Sequence, residues 1–96
     1  MKKPTILLIE DDALDVISVE RSLKKLDSEY ELYTAFNGIE ALKTLRDSSI
    51  RLIPDVILLD INMPRMNGIE FLKVIRDDDK LKNLKVFIMT TSSESN

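Results

Sequence analysis

Thr5-Ile6-Leu7-Leu8-Ile9-Glu10-Asp11-Asp12 is an apolar run that breaks, with no linker, into three acids. A short unbroken apolar run of this kind reads as a strand covered on both faces, the habit of parallel sheets. Val56-Ile57-Leu58-Leu59 repeats the pattern and ends in Asp60. Between and beyond these runs the apolar spacing changes. Val16, Val19, Leu23 and Leu26 stand three or four apart, with Glu20, Arg21, Lys24 and Lys25 filling the other side. That spacing predicts an amphipathic helix over 14–26. A second strand is expected over 30–36. Ile39, Ala41, Leu42 and Leu45 then mark a second helix, and 47–54 a connection. Ile69, Phe71, Leu72 and Ile75 mark a third helix, ended by Asp77-Asp78-Asp79. Val86-Phe87-Ile88-Met89 is the fourth strand and runs into Thr90-Thr91-Ser92-Ser93.

Strand and helix therefore alternate. The fold class expected is α/β: an open parallel sheet with right-handed crossovers and helices on both faces. Asn37-Gly38-Ile39-Glu40 recurs as Asn67-Gly68-Ile69-Glu70. Helical spacing follows both copies, so each Asn is read as a helix N-cap and each Glu as its capping-box partner.

The bulk composition sets limits. A length of 96 residues suits one domain. Hydrophobic residues make up 44%, enough to build a core, and charged residues 32%. A chain this short buries only about 60–65% of its unfolded surface, so its stability margin is narrow. Fourteen Lys and Arg face seventeen Asp and Glu, and the cations are scattered. That is no footprint for direct nucleic-acid binding. With neither Cys nor His there is no disulfide, no thiolate or imidazole metal ligand and no imidazole base. The apolar run over 6–9 is far too short to be a signal-peptide core or to span a membrane, so a cytoplasmic location is expected.

The chemistry is expected at the carboxyl ends of the strands, where open α/β sheets bind ligands. The first strand delivers Glu10 and Asp11 there, with Asp12 one step on; the third delivers Asp60 and the fourth Thr90. If the first and third strands are neighbours, three carboxylates converge. Close like charges repel and call for neutralisation. A hard divalent cation, Mg²⁺ or Mn²⁺, does this with oxygen ligands. Glu10, Asp11 and Asp60 would supply side-chain oxygens and Asn62 its backbone carbonyl. The acidic triplet alone reads equally well as a solvated helix N-terminus. Asp60 does not, because it follows four apolar residues, where an unpaired charge is costly.

Glu10-Asp11, Leu58-Leu59-Asp60-Ile61-Asn62-Met63-Pro64, Asn67-Gly68 and Met89-Thr90 together resemble the receiver domain of two-component response regulators. Pro64-Arg65-Met66-Asn67-Gly68 and Thr90-Thr91-Ser92 are most similar to the stand-alone receivers associated with bacteriophytochromes. The resemblance covers the whole chain and implies a flavodoxin-like strand order 2-1-3-4. It implies that Asp60 is the phosphoacceptor, attacking the phosphohistidine of a sensor histidine kinase. It gives Glu10, Asp11 and the Asn62 carbonyl to the metal, and makes Thr90 the switch hydroxyl. It brings the Thr91 backbone N–H to the phosphoryl group. A protein of this kind takes up a phosphoryl group and is not a turnover enzyme.

Residues 1–96 would form one receiver-like domain, shortened after the fourth strand. The family's fifth strand, its lysine and its last helices are not expected here. The fourth strand would then be an exposed apolar edge, and self-association through it is expected. A non-signalling, self-associating fragment is the alternative to a working phosphoacceptor. An aspartyl-phosphate phosphatase would need an acid where Asn62 stands. A flavin mononucleotide binder would need a phosphate loop where Glu10-Asp11-Asp12 would repel phosphate.

Overall fold

The computed structural model describes residues 3–26, 29–60 and 68–89. Its elements run β1 (Thr5–Ile9), α1 (Ala13–Lys24), β2 (Glu31–Ala35), α2 (Gly38–Arg46), β3 (Val56–Asp60), α3 (Gly68–Arg76) and β4 (Val86–Met89). The four strands form one sheet in the order β2-β1-β3-β4. All three pairings are parallel, with Ile9 opposite both Ala35 and Leu59, and Leu59 opposite Ile88.

From β1 the chain crosses one way to β2, then back over β1 to β3. Crossovers of one hand in opposite directions put their helices on opposite faces. Thus α1 covers one face, and α2 and α3 lie side by side on the other. Alternation along the strands divides the apolar residues accordingly. Leu7, Ile9, Ile57 and Leu59 join Ala41, Leu42, Phe71 and Ile75 in one buried cluster. Leu8, equally buried, is not part of that cluster, as expected for a residue facing α1. The two sides are unequal: α1 has no fully buried residue, and its Val16, Val19 and Leu23 are half-buried.

The internal repeat is longer than the motif that revealed it. Helix α2 reads GIEALKTLR and α3 reads GIEFLKVIR, both nine residues. Each opens with a buried Gly and an acid in its first turn and ends with Lys and Arg in its last. That charge order complements the helix dipole. At the fourth position Ala41 in α2 answers Phe71 in α3, and both are fully buried. Asn37 caps α2 as expected, its side chain accepting the Glu40 N–H at 2.8 Å. The Glu40 carboxylate, however, accepts the N–H of Phe36, one residue before the cap, instead of that of Asn37. Asn67, Met63 and Pro64 lie outside the described residues.

Boundaries shift modestly from the sequence reading. Helix α1 ends at Lys24, and Lys25 N–H closes on the carbonyls of Ser22 and Leu23. Leu26 is therefore an exposed residue past the helix. The connection from α2 to β3 holds one tight turn. The Asp47 carboxylate accepts the Ser49 N–H and hydroxyl, and Asp47 O accepts the N–H groups of Ile50 and Arg51. Arg51 closes that turn at φ 55°. Asp55 then ties β3 to β1, its carboxylate accepting Thr5 N–H at 2.7 Å while its own N–H donates to Thr5 O. Between α3 and β4, Asp78 holds a similar turn and pairs with Arg46 at the end of α2, 3.1 Å away. Arg76 donates to the carbonyls of Lys82 and Leu84, fixing the approach to β4.

Candidate metal centre

The direction of chain travel reverses between β1 and β3, so a crevice opens outside their carboxyl ends. Ile9 and Leu59 are register partners, and the next residue on each strand is an acid, Glu10 and Asp60. Both are buried, Glu10 at 1% and Asp60 at 3% exposure, while Asp11 beside them is exposed. Carboxylate oxygens of Glu10, Asp11 and Asp60 all lie within 4.8 Å of one another. Residues at the ends of two strands, fifty positions apart in sequence, thus meet in one place because β1 and β3 are neighbours.

Backbone bonds hold the arrangement. Glu10 N–H donates to Ala35 O at 2.9 Å, extending the β1–β2 ladder by one residue and fixing where the Glu10 side chain starts. Asp60 belongs to β3 itself and stands opposite Met89 of β4. The acidic triplet divides its labour. Asp12 does not join the cluster; its carboxylate accepts Leu14 N–H at 2.9 Å and caps α1. Its own N–H donates to a Glu10 carboxylate oxygen at 3.2 Å. The helix-capping reading is therefore right for Asp12, and the cluster reading for Glu10 and Asp11. The signal for the cap was present: an Asp directly before Ala13-Leu14, where the helical run starts.

Two buried carboxylates less than 5 Å apart repel by roughly 3–4 kcal/mol when both are charged, at an effective dielectric constant of about 20. A divalent cation held between them would convert that repulsion into attraction. The donor set consists of hard oxygens only, and the sequence has no Cys or His to offer a softer ligand. Such a set fits Mg²⁺ or Mn²⁺, which keep several waters and need few protein ligands. Asn62, Thr90 and Thr91, expected at the same edge, lie outside the described residues.

The sequence pattern of the response regulator receiver domain matches residues 6–96. The chain belongs to the response regulator receiver domain family. The strand order β2-β1-β3-β4 with an acidic switch-point edge agrees with this membership. Among solved receiver structures, a two-component response regulator from Legionella pneumophila is 44% identical, with a TM-score of 0.80. That match covers 97% of this chain and 74% of the other. The phosphorylated cyanobacterial phytochrome response regulator RcpA is 32% identical, with a TM-score of 0.85, covering 97% and 69%. Response regulator Rcp1 of Synechocystis is 36% identical over 92 residues, 91% of this chain and 61% of that protein. Several curated relatives are much longer proteins: across five of them the chain spans between 6% and 65% of the relative's length. No helix among the described residues is long and apolar enough to cross a membrane.

Proposed function

We propose that this chain is a phosphoacceptor of a two-component phosphorelay and receives its phosphoryl group on Asp60 from a sensor histidine kinase. The observation that carries the reading is the meeting of Glu10, Asp11 and Asp60, with Asp60 buried at the carboxyl edge of β3. An Asp60 carboxylate oxygen attacks the phosphorus of a phosphohistidine. The P–N bond breaks, the imidazole nitrogen leaves with its electron pair and takes a proton, and an acyl phosphate forms. A divalent cation bound beside Asp60 would supply charge neutralisation for the phosphoryl oxygens. Glu10, Asp11, Asp60 and the Asn62 backbone carbonyl would hold that cation, Mg²⁺ or Mn²⁺. The Thr90 hydroxyl and Thr91 N–H would donate to the phosphoryl oxygens. Burial holds Asp60 in one position, and Ala35 O fixes Glu10 beside it.

Two relatives support the chemistry. RcpA is described in a phosphorylated form, and a form of Rcp1 is described as Mn²⁺-bound. We place the chain in the cytoplasm, as a signalling protein and not a turnover enzyme, with no direct contact to nucleic acid. Incubation with Mg²⁺ and a small phosphodonor such as phosphoramidate tests the reading. Intact mass should rise by one phosphate, and chelation or Asp60→Asn should prevent the rise. A phosphate that still appears on the Asp60→Asn chain contradicts it.

One observation favours a second property, self-association. Phe87 and Ile88 of β4, the last strand of the sheet among the described residues, are 58% and 52% exposed. If the chain associates but never accepts phosphate, the self-associating structural module is the better description.

A further inference from the structure

Resting on the metal site proposed for Glu10, Asp11 and Asp60, we infer that Glu40 is a positioning residue for that site. It acts through a single peptide unit, the one that joins Ala35 to Phe36. The carbonyl of that unit accepts Glu10 N–H at 2.9 Å. The N–H of the same unit donates to a Glu40 carboxylate oxygen. A peptide unit is planar, so its C=O and N–H turn together. The carboxylate that holds Phe36 N–H therefore also sets where the Ala35 carbonyl points, and with it where Glu10 is anchored.

The place of this unit is where the sheet needs holding. Ile9 and Ala35 are the last register pair of β1 with β2, and the Glu10 bond lies one step past it. Phe36 is exposed, so without Glu40 its N–H would turn to water, which satisfies the group but fixes no direction. Glu40 fixes one because it is itself fixed. It stands in the first turn of α2, where Asn37 Oδ1 accepts its N–H at 2.8 Å and Asn37 O accepts Ala41 N–H at 3.0 Å. The first turn of α2 thus grips the end of β2. On the far side, the Glu10 carboxylate accepts Asp12 N–H at 3.2 Å and lies with Asp11 and Asp60 in the acidic cluster. Glu40 is exposed and is not a member of that cluster, so its influence on a cation runs through Glu10.

Reach, and not charge, is the property this role requires. Glu40→Gln keeps an oxygen acceptor at the same distance from the backbone. Glu40→Asp keeps the charge in the first turn of α2 but is shorter by one methylene, and falls short of an N–H four residues back. A residue that served the helix dipole, or drew a cation by its charge alone, would behave the other way: Asp would replace it and Gln would not. The order of the two variants therefore decides between the roles.

The experiment records amide NMR spectra and amide exchange of the unmodified chain, Glu40→Gln and Glu40→Asp, first without metal and then through a Mg²⁺ titration. Losing a partner that orients a metal ligand directly costs about 10–100-fold in affinity; Glu40 acts one bond further out, so Glu40→Asp should bind Mg²⁺ about 3–10-fold more weakly. Without metal, the Glu10 amide of Glu40→Asp should exchange faster than that of the unmodified chain. Glu40→Gln should stay within about twofold in Mg²⁺ affinity, because its side-chain oxygen still accepts Phe36 N–H. Unchanged Mg²⁺ affinity and unchanged Glu10 exchange in Glu40→Asp overturn the positioning role and leave the metal site standing. Binding in Glu40→Gln as weak as in Glu40→Asp, or weaker, overturns the role as well. No Mg²⁺-dependent shift at Glu10, Asp11 and Asp60 of the unmodified chain overturns the metal site itself, and the role of Glu40 with it.

Discussion

Asp11 and Asp12 are neighbours with different work. Asp11 is exposed and lends an oxygen to the acidic cluster, while Asp12 caps α1. Asp12→Ala should lower stability by about 1 kcal/mol, the usual worth of an N-cap, and leave Mg²⁺ affinity nearly unchanged. Asp11→Asn should do the reverse, weakening Mg²⁺ binding while leaving the metal-free chain as stable or more so. Urea melts and Mg²⁺ titrations on both variants check the pair of statements, and an exchange of the two effects contradicts them. The sequence showed three acids and could not divide them, because the division depends on which backbone N–H each carboxylate meets. Arg51 was not legible at all. Its φ of 55° is a left-handed conformation that costs a residue with a Cβ about 1–2 kcal/mol. Arg51→Gly removes the clash but loosens the unfolded chain, so a net gain of up to about 1 kcal/mol is expected from chemical denaturation.

Strands were the most legible elements. β1 and β4 fall on the residues where the apolar runs fall, since an unbroken apolar run has no polar residue inside it to blur its limits. Helix ends were less legible: α1 stops at Lys24 although apolar spacing continues to Leu26. The same helix has no fully buried residue, whereas α3 buries Gly68, Phe71 and Ile75. Hydrogen exchange should therefore release the α1 amides before those of α3, because helices with fewer buried contacts open at lower free energy. Equal protection of the two would contradict this packing asymmetry. The turns at the far end of the sheet respond to acid. The Ser49 hydroxyl, helped by the Ser49 N–H, holds the Asp47 carboxyl below its ordinary 3.8. The Lys80 N–H, with Arg46 beside it, does the same for Asp78 against the opposing effect of desolvation. Both groups are more acidic folded than unfolded. Their contribution is complete above about pH 3.8 and is lost as pH falls through the lower folded values. Asp78→Asn should flatten the stability curve in that acid range, and an unchanged slope in pH-dependent urea melts would contradict it.

For the whole molecule, the order β2-β1-β3-β4 is what turns scattered acids into a site. Strand alternation in the sequence implied a parallel sheet, but the adjacency of β1 and β3 was a condition that only the fold could meet. It meets it through Ile9 opposite Leu59, which sets Glu10 and Asp60 at one level. The most direct test of the central claim is paramagnetic broadening by Mn²⁺ in an amide NMR spectrum of the intact chain. Broadening should begin at the amides of Glu10, Asp11, Asp12 and Asp60 and at Phe36 beside them, and Mg²⁺ should reverse it. Broadening that begins instead at the Asp77-Asp78-Asp79 run, or none at all, would mean that the two strands do not share a metal.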